Sequence, residues 1–381
     1  CGSAPLWSAV VSDGCSSVVS GVESPVAVRS FAERIAAAER WYPISGPPAS
    51  LRRRRRAPSG AGLSTSRTPL AARYDSLEDA EQALRRGLAS NGPLRGATFD
   101  SAAEIDALLQ QLDLPPSAAH ALDQALLDLL AQEQGLPLCR LLADTCRESV
   151  PVHALVHGYE DAARAASDGF SCFKTKVGVS HLDDDDVRVR NIRRAIGKQA
   201  ELRLVANGAW GDRTTALAAI ERFARHTLQG VEQPVPAHRV DLLVEVRAFS
   251  PVPIAADEAV RSAAELDTVI QRNAADAVVL KPMLCGGLQR TLALARRAVA
   301  AGLAVSVTGT FESSIGRVGA LHVAAAIPGR LWSCGLASNS LLSEDVTPGP
   351  HARAGVLLVP SGPGLGVSGR LPGEAAGSAG V

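Results

Sequence analysis

The sequence has no excess charge of either sign: its 381 residues carry 39 Lys plus Arg against 39 Asp plus Glu. No global field therefore steers it toward nucleic acid or an anionic membrane, and a small molecule is the expected partner. No apolar run approaches the roughly 18 residues of a membrane span, and no basic, apolar, small-residue series of a secretory leader opens the chain. The expected location is cytoplasmic, or the plastid in a photosynthetic eukaryote. The chain opens on Cys1 and not on methionine, in keeping with a fragment or a processed chain. The seven cysteines (Cys1, Cys15, Cys139, Cys146, Cys172, Cys285 and Cys334) include no Cys-x-x-Cys pair and no zinc or disulfide-framework spacing. They read as reduced, mostly buried thiols.

Acidic residues are missing altogether from Trp41 to Arg73, where Arg52 to Arg56 form an unbroken basic run beside Pro, Ser and Gly. Such a stretch buries no core of its own, and residues 1–75 are expected to be a low-order or degraded segment. Its Arg-rich, acid-poor composition also matches a transit segment, against which its internal position counts. The lack of interleaved aromatics counts against a nucleic-acid patch.

Order is expected from Ser76, which stands three residues before Asp79 in a capping pattern. A second helix is expected over about 101–112. A third follows Pro115-Pro116-Ser117, with Leu122, Leu126, Leu129 and Leu130 at helical spacing and Gly135 as its stop. After Val150 the pattern changes to short apolar, β-branched runs centred near His153, Lys174, Leu204, Val231, Ile254, Val279, Val305 and Trp332. Their spacing of about 20 to 31 residues is that of a strand plus its returning helix. Eight such units predict an α/β barrel. An open doubly wound sheet is the rival, but no Gly-x-Gly-x-x-Gly follows the first run. At 46% hydrophobic residues, the chain can fill a barrel and a smaller second unit.

In a barrel, chemistry sits at the C-terminal strand ends. Lys174 and Lys176 of FKTKVG lie two apart on one strand and face one space, about 7 Å apart at their backbones. Their mutual repulsion, together with partial burial, would favour the neutral amine and so a basic role for one of them. The next ends bring Glu232 (VEQP), Asp257 (PIAADE) and Lys281 (VVLKP) to the same rim. Carboxylates there can converge on a hard cation. Gly309 to Ser314 provide hydroxyls and N–H groups at a helix start, where an anion can bind. Gly286-Gly287 would let the backbone turn beside the site. His153 and His157 are read as structural.

The ordered series PSAAHALDQALLDLLAQEQGLPL, FKTKVG, LRLVANGAW, VEQPVP, PIAADE, VVLKPMLCGG, VTGTFESSIG and SCGLASNSLLSED resembles the enolase superfamily over about residues 115 to 365. Among its branches the o-succinylbenzoate synthases look closest. The resemblance implies an enolase-type (β/α)7β barrel over 151–345 with a smaller α+β capping domain. The helical part of that cap would span 76–150, and a C-terminal segment, 346–381, would pack partly on it with a disordered tail. It implies a small carboxylate substrate and Mg2+, or Mn2+. Lys176 would abstract the proton α to the carboxylate, with Lys281 as a stabilising cation. Lys174, Gly309, Ser313 and Ser314 would bind substrate, and Glu232 and Asp257 would hold the metal. It also implies a lyase of menaquinone or phylloquinone biosynthesis. The alternatives are an N-acylamino acid racemase or dipeptide epimerase on the same barrel, or a non-catalytic or degraded barrel. The third strand departs from the pattern: Val205 stands where a metal-binding aspartate is expected, and Asn207, on the same face, is the substitute ligand. No motif speaks to oligomeric state.

Overall fold

The computed structural model describes residues 75–367 apart from 89–91, 93, 95–96, 311, 339–344 and 346. The Arg52–Arg56 run and the tail beyond 367 lie outside the described residues, as does most of GLASNSLLSED.

Four helices come first: α1 (Leu77–Leu88), α2 (Ala102–Gln110), α3 (Pro116–Glu133) and α4 (Leu138–Leu142). Ser76 caps α1 as its spacing requires, its Oγ accepting from Asp79 N at 3.0 Å. Ser101 does the same for α2 from Glu104 N at 3.3 Å, and Glu104 reaches back to Asp100 N at 2.8 Å. Pro116 opens α3 with the φ a first turn needs. Gly135 closes it at φ +66°, a left-handed conformation that costs glycine little. Besides Leu122, Leu126 and Leu130, α3 buries His120, Asp123, Gln124 and Asp128. A helix apolar and polar alike on its buried faces needs built-in partners for those polar groups.

The barrel follows: β1 (Ser149–Pro151), β2 (Ala154–Leu155), α5 (Tyr159–Ser167), β3 (Cys172–Lys176), α6 (Leu182–Ile196), β4 (Glu201–Val205), α7 (Arg213–Ala224), β5 (Gly230–Glu232) and α8 (Val240–Phe249). It continues through β6 (Ile254–Ala256), α9 (Ala263–Gln271), β7 (Ala277–Leu280), α10 (Pro282–Cys285), α11 (Leu288–Ala300), β8 (Ala304–Val307) and α12 (Ser314–Ala326). The strands β2 to β8 pair in sequence order, all parallel. Parallel bridges Val305–Leu331, Thr308–Gly335 and Val152–Cys334 close the sheet through the last expected run, around Trp332. β7 and β8 are buried at every position, as strands covered on both faces must be.

Inside the barrel, below its mouth, Trp332 packs with Ala255, Ala277, Val279 and Ala304. Gly230 makes room for it, since a Cβ there would stand 2.8 Å from Pro253 O and 3.2 Å from Trp332 Cη2. Arg203 lies over the indole at 4.8 Å and donates through Nη1 to Ser333 O at 2.9 Å.

Helical unit and barrel are joined by polar contacts at one seam. Asp123 Oδ2 accepts from Leu288 N at 2.5 Å and Gln289 N at 3.2 Å, capping α11. Near the C-terminus, β9 (Val356–Leu358) pairs antiparallel with β1, and Leu365 N donates to Asp128 Oδ1 at 2.6 Å. His322 of α12 bridges the same region: its Nδ1 accepts from Cys139 N at 3.2 Å and its Nε2 meets Leu365 O at 3.1 Å.

Candidate active site

Strand alternation on β3 buries Phe173 and Thr175 toward the helices and turns Lys174 and Lys176 into the barrel. Parallel register then sets one row, Lys176–Val205–Glu232, across β3, β4 and β5. Asp257 follows β6 directly, and Lys281 follows β7 as the residue before α10. All five expected charged residues therefore lie at one end of the barrel.

Glu232 and Asp257 are each only 4% exposed. Lys174 Nζ stands 3.2 Å from both Glu232 oxygens, and Lys281 Nζ 2.5 Å from both Asp257 oxygens. Burial pushes Glu232 above the usual carboxylate range; Lys174 opposes the rise and the adjacent Asp257 charge adds to it. Burial acts the same way on Asp257, but Lys281, with Lys174, more than reverses it, so Asp257 lies low. For Lys281 the loss of hydration favours the neutral amine, and the Asp257, Glu232 and Glu258 charges outweigh it and raise its pKa. Of the two carboxylates, Glu232 is the one that takes a proton more readily. Lys176 is exposed at the mouth, while Lys174 is half-buried and turned to Glu232.

Further residues shape the site, and of these Gln233 carries no local signature in sequence. Gln233, at φ +43°, accepts from Asp257 N at 3.0 Å and Ala259 N at 3.2 Å, fixing the backbone that presents Asp257. Asn207, at φ +49°, donates Nδ2 to Glu258 Oε1 at 3.0 Å, leaving its Oδ1 as the atom for any cation. Glu258 was detectable only as the neighbour of Asp257, and Arg203 as the residue two before Val205 on the same strand face. His153 is buried with Nδ1 3.1 Å from Ser333 O; burial, then Lys174 and Arg203, hold its pKa well below normal. His157 is exposed, and its backbone N–H bonds Asp161 at 3.3 Å.

The helix start expected to take a substrate carboxylate carries one of the chain's own. Ser314 donates its N–H to Asp345 Oδ1 at 2.8 Å and its hydroxyl to Asp345 Oδ2 at 2.7 Å. Buried Arg317 holds the same Oδ2 at 3.0 Å. In this structure both Ser314 donors, expected to meet substrate, are bonded to Asp345. Gly309 and Ser313 lie at the same barrel end, and the Ser313 side chain makes no capping bond. Gly286 and Gly287, at φ +81° and +139°, form the turn expected after Lys281.

An enolase C-terminal domain-like family model matches residues 158–371, more than half of the chain. The chain belongs to the enolase superfamily. Muconate cycloisomerase 1 of Rhodococcus opacus is 34% identical over 260 residues, 66% of this chain and 69% of that protein. An o-succinylbenzoate synthase of Thermobifida fusca is 42% identical over 210 residues, 54% of this chain and 64% of its own length. The crystal structure of N-succinyl Arg/Lys racemase from Bacillus cereus superimposes with a TM-score of 0.72 at 26% identity, covering 77% of this chain and 80% of that one. Relatives in the superfamily thus include lyase, isomerase and racemase activities on this barrel. Among the described residues no helix is long and apolar enough to cross a membrane.

Superfamily membership implies a divalent cation, and the donor chemistry here fits one through two carboxylates. Glu232 and Asp257 come from neighbouring strands and lie against each other, with hard oxygen donors of the kind Mg2+ takes. The third strand offers only Val205, 2% exposed and in register with Glu232. Among the described residues no group of three or more His, Cys, Asp or Glu side chains is arranged to hold a metal. Lys174 and Lys281 already engage these two carboxylates, so a cation there would compete with their ammonium groups.

Proposed function

We propose that the chain is an o-succinylbenzoate synthase-like lyase. It would dehydrate 2-succinyl-6-hydroxy-2,4-cyclohexadiene-1-carboxylate to o-succinylbenzoate in menaquinone or phylloquinone biosynthesis. The observation that carries this reading is the pairing of two interior lysine strands, β3 and β7, with two buried carboxylates between them at the barrel's C-terminal end. The 42% identity to the Thermobifida fusca synthase supports the choice of substrate.

In this reading Lys176, at the exposed rim, takes the proton α to the substrate carboxylate. Lys281 stands across the mouth as a cation beside the developing negative charge. Lys174, released from Glu232, and Gly309 and Ser313 orient the carboxylate. Glu232, Asp257 and Asn207 Oδ1 would hold Mg2+ or Mn2+, which when bound supplies Lewis-acid stabilisation of the enediolate oxygens. Val205 removes one anionic ligand and so lowers metal affinity and rate. The proposed setting is the cytoplasm, or the plastid in a photosynthetic eukaryote.

The test is turnover of freshly prepared cyclohexadiene carboxylate in saturating Mg2+, followed by o-succinylbenzoate absorbance. Turnover that Lys176→Ala removes supports the lyase; silence in both the natural chain and Val205→Asp contradicts it. A second reading, N-acylamino acid racemase, is favoured by the placement of Lys176 and Lys281 on non-adjacent strands, as acid and base on opposite faces of an α carbon require. Exchange of the α proton of N-succinyl amino acids into deuterated water, without dehydration of the diene, would select it. If neither substrate reacts, the non-catalytic barrel is left.

A further inference from the structure

Lys176 is the last residue of β3, and the chain leaves it under restraint from three sides. Val177 N donates to Val205 O on β4 at 2.9 Å. Gly178 takes a left-handed φ of +75°, and a Cβ there would stand 2.5 Å from that of Ala209, so the exit turn lies directly against the loop after β4. The third restraint comes from α6. Asp185, in its first turn and 1% exposed, accepts from Gly178 N at 2.6 Å through Oδ2. Its Oδ1 accepts at 2.7 Å from Nη2 of Arg188, three residues on along the same helix, and that nitrogen also donates to the carbonyl oxygen of Lys176. One ion pair thus grips the peptide groups on both sides of Val177.

Stability alone does not call for such a clamp. Taking the Asp185 carboxylate out of water is costly, and buried ion pairs seldom add net stability. What the clamp fixes is the direction in which the Lys176 side chain leaves the strand, and on a flexible four-carbon stem that direction sets the space its amine samples. A base must stand within hydrogen-bond reach of the proton it takes, and a misplacement of about 1 Å costs on the order of a hundredfold. We propose that Asp185 and Arg188 are positioning residues for Lys176, acting through the main chain at 176–178. The proposal rests on Lys176 as the base of the reaction proposed above.

The sequence allows a direct test. Its only lysines are Lys174, Lys176, Lys198 and Lys281, and only Lys176 is followed by valine. In the full chain labelled with 13C-lysine and 15N-valine, one carbonyl–amide correlation therefore reports the Lys176–Val177 peptide. The lysine Cε signals report the side chains, that of Lys176 being assigned by its loss in Lys176→Ala. Arg188→Met is expected to move the correlation and the Lys176 Cε signal and to leave those of Lys174 and Lys281 in place. It should also lower kcat about thirtyfold with KM within about twofold, and Arg188→Lys, which keeps a charged donor, should recover about fivefold. If Arg188→Met fails to fold because Asp185 is left buried without its cation, Asp185→Asn/Arg188→Met takes its place: the amide oxygen can still accept from Gly178 N, and no charge is stranded. Three results would overturn the proposal: an unmoved Lys176 Cε signal in the folded variant; an unchanged kcat in a chain that turns over; or equal movement of all three mouth lysines with a fall in melting temperature, the mark of general loosening. If the natural chain turns over neither the cyclohexadiene carboxylate nor N-succinyl amino acids, the reading of Lys176 as base fails by itself. The Lys176 signals then still decide whether the clamp holds that side chain.

Discussion

At the barrel mouth, Glu232 and Asp257 face the ammonium groups of Lys174 and Lys281; at the seam, Asp123 and Asp128 face the backbone N–H groups of Leu288, Gln289 and Leu365. All four carboxylates are buried, and their partners differ in kind. A lysine ammonium sits on a flexible stem and can be exchanged for a cation or released to a substrate. A backbone N–H cannot move without the helix or strand that carries it. Titration follows burial as well as partner: burial brings Asp123 up to about 6 against the pull of Gln289 and Leu288 and raises Glu232 against Lys174, whereas Lys281 holds Asp257 low. At the mouth the buried carboxylates are balanced by side-chain charges, and at the seam mostly by backbone dipoles.

The sharpest break between the two regions is expected in rate. Lys176→Ala should lower turnover about a thousandfold, the loss of a general base, with little change in melting temperature. Asp123→Asn should lower melting temperature and leave the rate per folded molecule intact. Next in size is the mouth pair. Glu232→Leu strands Lys174 in the barrel and should cost about 3–5 kcal/mol in urea unfolding, most of it recovered in the Lys174→Met/Glu232→Leu double variant. If the double variant is no more stable than the single, Lys174 is not what Glu232 balances.

At the seam, burial holds His322 at about 4, so it stays neutral when the unfolded chain, near 6.5, is charged. Between pH 6.5 and 4 the unfolded state binds the extra proton, and stability falls with falling pH by on the order of 3 kcal/mol from this group. Above 6.5 the contribution is constant. Urea unfolding across that window should show a shallower slope in His322→Gln than in the natural chain; parallel slopes would place the acid sensitivity elsewhere. The smallest effect expected is that of Asp123→Ala, about 2 kcal/mol, chiefly for the two backbone N–H groups of Leu288 and Gln289 left without an acceptor; the Gln289 side-chain amide, which also donates to Asp123, can turn to water.

The barrel was legible because strands buried on both faces are uninterrupted apolar runs and their spacing counts out strand plus helix. The eighth run, around Trp332, was visible in the same way, although it joins the sheet only through isolated bridges. The charged rim was legible because Lys174, Lys176, Glu232, Asp257 and Lys281 fall at strand ends. What stayed hidden depends on contacts between distant segments. Asp345 reaches Ser314 across 31 residues and Asp123 reaches Leu288 across 165, with no periodicity to announce either. At Ser314 the anion seen is the chain's own Asp345: a helix start reads as an anion site without saying whose anion fills it. Gln233 acts through a left-handed backbone turn that its residue type does not declare, whereas Asn207 is of a type that enters that region readily.

The claim that the mouth's charges are exchangeable is tested most directly by titrating Mg2+ into the natural chain and into Val205→Asp, following melting temperature and binding heat together. Without metal, a third buried carboxylate in the row beside Glu232 should lower the melting temperature of Val205→Asp below that of the natural chain. Added Mg2+ should restore it and bind the variant about tenfold or more tightly, as one added charge–cation contact implies. Equal melting temperatures and equal Mg2+ affinity in the two proteins would contradict the account, because the balance of charge at the mouth would then not govern what binds there.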